Sequence, residues 1–313
     1  MASCFVTREL PGTSLDRLRE EHDVNVWPGR LPPPPGELRE RTAECEGLLA
    51  LLTDDVDASL LEAAPQLRAV ANYAVGVDNV DVEAATSRGI PVGNTPDVLT
   101  ESTADLAVGL MLAAGRRVVE GQDVVRRGDW ITWEPQGLLG RDLHGATVGI
   151  VGLGRIGKAV ARRLEGFEAR VVHTGRSSGV PLEELLAESD FVTLHCPLTP
   201  ETEGLIDASA LDAMRETAYL VNTARGAIVD QAALARALSD GSIAGAALDV
   251  TDPEPLPQGN PLHDAPNLVL VPHIASATHR TREAMADLAV DNLLAALRGE
   301  RMPHCVNPEV YEG

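Results

Sequence analysis

The sequence predicts an α/β protein of two domains, one of them a doubly wound parallel sheet, on three observations. Short apolar runs alternate with helix-forming segments along nearly the whole chain, the pattern of strands and crossover helices in a sheet covered on both faces. Residues 147–157 read Thr-Val-Gly-Ile-Val-Gly-Leu-Gly-Arg-Ile-Gly, a buried strand, a glycine turn and a helix start in one stretch. And 313 residues exceed what one ordinary hydrophobic core serves.

In chain order, the first hundred residues offer strands at 4–7, 24–27, 47–52, 68–73 and 91–93, with helical segments at 14–21, 37–44, 58–64 and 82–88 between them. The proline run at 31–36 is a surface connection, because strand and helix patterns continue directly on both sides of it. Tyr73-Ala-Val75-Gly76-Val-Asp78 ends an apolar strand in small residues, which suits either an ordinary turn or a seat for a carboxylate on backbone N–H groups. Ser102-Thr103-Ala-Asp105 resembles a capping box opening a long apolar helix to about residue 127, and Thr103 is read as a capping hydroxyl or a ligand contact. The following loop carries Trp130 and Trp133 with no helical or strand periodicity, as an interface or as a segment folded onto its own domain.

The glycine turn then organises the second half. Gly152 permits the tight bend, Gly154 lets backbone approach a pyrophosphate, and Gly157 lets the helix pack on the strand, with Leu153, Arg155 and Ile156 completing the phosphate-facing segment. The next strand, 169–174, should end in an acid if a ribose 2′-hydroxyl is bound; it ends instead in His173-Thr-Gly-Arg176-Ser177. A guanidinium and hydroxyls there suit the 2′-phosphate of NADP, so NADP(H) is expected in preference to NAD(H), a solvated arginine being the plainer alternative.

Ligands of open parallel sheets lie beyond the carboxyl ends of the strands. Strand 191–196 exits through Cys196 and Pro197, with Thr202 closing the turn, and strand 218–224 exits through Thr223 and Ala224 to Arg225. Strand 246–250 leads through Asp249 to the proline-flanked Glu254, and strand 268–271 leads to His273 and Ser276. All of these except Arg225, Glu254 and His273 are read as cofactor contacts; those three supply an anion clamp, a carboxylate that orients an imidazole, and a proton donor.

Composition narrows the partners. The net charge of −21 leaves no basic footprint for nucleic acid or an anionic membrane. No run reaches the roughly 18 apolar residues of a membrane span, the N-terminus lacks the regions of a secretion signal, and a cytoplasmic location is expected. Cys4, Cys45, Cys196 and Cys305 are too scattered to suggest a disulfide framework, and no metal site is expected. An anionic substrate would have to be held against the overall field by a local arginine or backbone N–H groups.

Gly-Leu-Gly-Arg-Ile-Gly, His-Thr-Gly-Arg-Ser, Asn-Thr-Ala-Arg-Gly, Asp-Val-Thr-Asp-Pro-Glu-Pro-Leu-Pro and Pro-His-Ile-Ala-Ser-Ala-Thr-His-Arg-Thr-Arg together resemble the D-isomer-specific 2-hydroxyacid dehydrogenases, and within them the glyoxylate/hydroxypyruvate reductases. The likeness runs from about residue 73 to 303. It implies that Arg225, Glu254 and His273 are catalytic, that Val75 and Gly76 hold the substrate carboxylate along with Arg225 and His273, and that a small 2-oxo acid is reduced at C2. It also implies a flavodoxin-like substrate domain, residues 1–97 and 281–313, into which a Rossmann-type cofactor domain, residues 98–280, is inserted. The Trp130 loop looks like one that reaches a partner's substrate site, which implies a homodimer. Two alternatives stand beside this: a D-2-hydroxyacid dehydrogenase with a different 2-oxo acid, and a non-catalytic NADP(H)-sensing protein.

Overall fold

The computed structural model describes residues 1–176 and 178–312, and the chain divides into two compact units. One comprises Met1–Leu99 with the chain from Thr278 onward, and the other is Thr100–Ala277. The first unit begins β1 (Ser3–Val6), α1 (Ser14–Glu21), β2 (Asp23–Val26), α2 (Pro35–Ala43), β3 (Gly47–Ala50), α3 (Ala58–Ala63), β4 (Ala69–Asn72), α4 (Val82–Ser87) and β5 (Val92–Gly93). Its strands pair in parallel in the order β2-β1-β3-β4-β5, the flavodoxin-like winding.

The local reasons are plain in the sequence. Strands β3 and β4 are buried along their whole length, as expected of continuous apolar runs in a parallel sheet. Helices α3 and α4 start where Asp57 and Asp81 accept the backbone N–H of Leu60 and Ala84, at 2.7 Å and 2.9 Å.

The second unit runs α5 (Thr100–Gly115), α6 (Val118–Arg127), β6 (Thr147–Val151), α7 (Arg155–Leu164), β7 (Arg170–Gly175), β8 (Ser178–Gly179), α8 (Leu182–Glu188), β9 (Phe191–Leu194), α9 (Ala208–Asp212), β10 (Tyr219–Asn222), α10 (Gln231–Asp240), β11 (Gly245–Leu248) and β12 (Leu268–Leu270). Its sheet order is β12-β11-β10-β9-β6-β7-β8, with only the edge strand β8 antiparallel. The winding reverses direction between β6 and β9, so the topological switch point falls at the glycine turn that follows β6.

The expected single helix from residue 102 to 127 is two helices. Arg117 takes a left-handed backbone, φ +53°, between α5 and α6, and Gly115 packs so tightly that a Cβ there would lie 2.9 Å from the Phe191 ring. Close packing of a small residue against β9 ends α5, and the chain turns before the more polar α6 begins. Helix α5 also starts earlier than the capping-box reading, at Thr100, which places Thr103 inside the helix and 3 % exposed.

Helix α11 (His279–Leu297) returns the chain to the first unit, capped by Thr278, whose hydroxyl accepts the Thr281 N–H at 3.2 Å. It buries Met285, Ala289, Val290, Leu293 and Leu297 against the core of that unit. Each fully buried leucine contributes about 2 kcal/mol. Among the described residues no helix is long and apolar enough to cross a membrane.

Candidate active site

The glycine turn forms because two of its glycines stand where any side chain would collide. Gly152 has φ +95°, and a Cβ on it would sit 2.6 Å from the Cys196 nitrogen. One on Gly157 would sit 2.3 Å from the Gly152 carbonyl oxygen. Gly154 faces open space, with nothing within 4 Å of where a Cβ would be, at the exposed N-terminus of α7. Closely approachable backbone at Gly154 and a helix N-terminus with free N–H groups are what a pyrophosphate needs. Thr223, at the exit of β10 on the same sheet edge, is 8 % exposed, and its hydroxyl has no hydrogen-bond partner among the described residues. A buried polar atom in want of a partner at the carboxyl edge of this sheet fits a ligand bound along that edge, as a nicotinamide cofactor would be. Arg176 is exposed directly after β7, while Ser177 lies outside the described residues.

The exit of β10 is shaped by Asn222, a buried side chain to which the sequence reading gave no role. Its amide donates to the Arg225 carbonyl at 2.8 Å and its oxygen accepts the Ala224 N–H at 2.9 Å, so the loop carrying Arg225 is folded around it. Arg225 also donates from Nη1 to the Ala224 carbonyl at 2.9 Å. Gly226 follows because a Cβ there would lie 2.0 Å from the Thr251 carbonyl carbon. That contact presses the Arg225 loop onto the loop that carries Glu254.

Glu254 accepts the Thr251 N–H on Oε1 at 3.1 Å, and its Oε2 lies 2.8 Å from Nδ1 of His273. Both side chains remain about a quarter to a third exposed, at 26 % for His273 and 30 % for Glu254. With Nδ1 turned to a carboxylate, Nε2 is the nitrogen left to exchange a proton with a ligand.

His273 itself has a left-handed backbone, φ +52°, which an L-residue adopts only when its surroundings impose it. Asp249 imposes it. Its carbonyl accepts the His273 N–H at 2.8 Å, and its two carboxylate oxygens accept the N–H groups of Ile274 and Ala275 at 2.6 Å and 2.9 Å. Asp249 is 1 % exposed, and that burial pushes its carboxyl above the usual range despite those hydrogen bonds. The sequence predicts that Asp249 contacts the cofactor; in the structure its carboxylate oxygens also brace the loop that presents His273. Asp249→Ala is expected to lower unfolding free energy by about 3 kcal/mol, seen as a lower urea midpoint, because two loop amides lose one acceptor together.

The other expected contacts divide by burial. Ser276 is buried behind the His273 turn, and Thr202 closes the loop after β9, its hydroxyl bonded to the Pro197 carbonyl at 2.7 Å. Burial pushes the Cys196 thiol up, and pushes His195 down to about 4, so at neutral pH the first is a thiol and the second a neutral ring bonded to Thr193 at 2.9 Å. Val75 and Gly76 belong to the first unit, half-exposed after β4. Trp130, Ile131 and Trp133 are exposed, at 65 %, 92 % and 77 %.

Residues 108–275 match the family model of the D-isomer specific 2-hydroxyacid dehydrogenase NAD-binding domain. The chain is 51 % identical to the glyoxylate reductase of Korarchaeum cryptofilum, covering 98 % of this chain and 96 % of that one. A crystal structure from Thermus thermophilus is 52 % identical, with a TM-score of 0.92 over 97 % of this chain and 99 % of the other. The NADPH-dependent glyoxylate/hydroxypyruvate reductase of Sinorhizobium meliloti, solved with NADP and malonate, is 36 % identical, with a TM-score of 0.85 over 98 % of this chain and 97 % of that one. Likeness at this level over nearly the full length places the chain in the D-isomer specific 2-hydroxyacid dehydrogenase family, as a nicotinamide-dependent oxidoreductase of the CH–OH group that reduces a small 2-oxo acid.

Proposed function

We propose that this chain is an NADPH-preferring reductase of glyoxylate, hydroxypyruvate or both, with His273 as the proton donor. The hydrogen bond of 2.8 Å between His273 Nδ1 and Glu254 is the observation that carries this reading, since it leaves Nε2 to meet the substrate. When bound, the nicotinamide supplies a hydride to C2. Nε2 of His273 gives its proton to the carbonyl oxygen as that oxygen becomes a hydroxyl, and Glu254 offsets the positive charge of the ring beforehand. Arg225 draws the substrate carboxylate or carbonyl oxygen and stabilises negative charge that grows on it. Hydride and proton together account for the 2-hydroxy acid product.

The remaining roles are assigned on the same footing. Residues 98–280 serve the cofactor, with phosphates against the segment from Leu153 to Gly157, while residues 1–97 and 281–313 serve the substrate, with the amides of Val75 and Gly76 on its carboxylate. The exposed apolar side chains of Trp130, Ile131 and Trp133 suit burial between two copies of this chain, which supports a homodimer whose Trp130 loop serves the substrate site. The protein works in the cytoplasm.

NADPH preference is supported by Arg176, exposed where an NAD enzyme would place an acid. NADPH oxidation with glyoxylate, hydroxypyruvate, pyruvate and a bulkier 2-oxo acid tests the substrate. The two small, polar acids should be favoured at least about tenfold in kcat/KM, and a preference for the bulkier acid would assign the chain to another 2-oxo acid. Arg176→Ala should weaken NADPH binding by about ten- to a hundredfold and leave NADH nearly unchanged, as loss of one charged hydrogen-bonding partner would. Equal losses for both cofactors would end the 2′-phosphate assignment.

A further inference from the structure

We propose that Asn94, backed by Asn72 and Asn292, is a positioning residue that aims the amides of Val75 and Gly76 at the substrate carboxylate. The proposal rests on the 2-oxo acid reading above and deepens it, because it concerns how that anion is held. Its basis is the destination of consecutive carbonyls after β4. The Ala74 carbonyl accepts the Thr95 N–H at 2.8 Å, and the Val75 carbonyl accepts the Asn94 side-chain amide at 2.8 Å. Both carbonyls thus face the same two-residue segment.

A planar trans peptide points its N–H opposite to its C=O. Fixing those two carbonyls therefore turns the N–H groups of Val75 and Gly76 away from residues 94–95, side by side, as an anion-binding concavity requires. The next peptide is pinned too: the buried Asn72 donates to the Gly76 carbonyl at 2.9 Å and to Asn79 Oδ1 at 3.0 Å. Asn79 in turn donates to the carbonyls of Leu51 and Asp54, at 3.0 Å and 2.9 Å, tying the loop to the exit of β3.

Asn94 can act as a brace only if it is itself held. Its carbonyl accepts the amide of Asn292 in α11 at 2.9 Å, and Asn292 Oδ1 accepts the His304 N–H at 2.9 Å. Gly93 admits this approach, since a Cβ there would lie 2.8 Å from the Asn292 side chain. Asn292 is completely buried, so α11 fixes Asn94, and Asn94 fixes the Val75 carbonyl. Asn94 itself is only half-buried, which makes it open to substitution.

Two variants test the brace. Asn94→Ala removes the donor, and Asn94→Asp replaces it with an acceptor that repels both the Val75 carbonyl and the substrate anion. Both should raise KM for glyoxylate and the inhibition constant of oxalate, about tenfold for alanine and more for aspartate, with kcat changed less than about threefold. NADPH affinity and the melting temperature should stay near wild type. Unchanged KM and oxalate inhibition would overturn the proposal, as would losses that track cofactor affinity and melting temperature in both variants, which would make Asn94 a structural amide. Failure of the substrate reading looks different: wild-type protein would turn over no 2-oxo acid, while oxalate, followed by direct binding, would still weaken in the two variants.

Discussion

His273→Asn should lower kcat by about 10² to 10⁴ while NADPH affinity stays within about twofold of wild type. Asparagine tolerates the left-handed backbone at this position better than most residues, so the loop pinned by Asp249 should keep its form. Its amide can still reach toward Glu254. What it cannot do is deliver a proton, so the variant separates proton transfer from every other function of the side chain. Single-turnover mixing of the NADPH complex with glyoxylate should show the loss in the chemical step. A variant with wild-type turnover would remove His273 from the mechanism.

Arg225→Gln should lower kcat/KM by about 10³, near the upper end of what removing one charge-stabilising donor from an active site costs. Arg225→Lys should recover less than about a tenth of that loss, because a point charge does not reproduce a planar fork held against its own loop. The Asn222 scaffold does not involve the Arg225 side chain, so folding should be unaffected in both variants. Near-normal kcat/KM in Arg225→Gln would assign the anion to another group. Comparable losses in NADPH binding would move Arg225 to the cofactor instead.

Much of this was legible in the chain. The glycine turn announced itself because Gly152 and Gly157 stand where backbone packs on backbone, a demand few other residues meet. Arg225, Glu254 and His273 stand out as candidates by position, each beyond the end of an apolar run, and the fold brings Glu254 and His273 into hydrogen-bond contact. The constraints that hold them were less visible. Nothing local distinguishes Asp249 from an acid that faces a ligand; its role depends on the N–H groups of Ile274 and Ala275, which approach only once β11 and β12 pair.

The same holds for Asn72, Asn94 and Asn292, far apart in sequence and joined through one loop. Asparagine carries no periodicity, so its partners become apparent only when the sheet and α11 are assembled. The break at Arg117 escaped for a related reason. Apolar spacing continues across it, and the contact of Gly115 with Phe191 that ends α5 is made by a strand more than seventy residues away.

The left-handed turn at His273 sets the proposed proton transfer against robustness. Glycine would sit there with less strain, so a screen that rewarded heat resistance alone would drift toward discarding the side chain proposed as the proton donor. Engineers seeking a tougher catalyst would do better to leave that corner untouched and look for gains elsewhere in the scaffold.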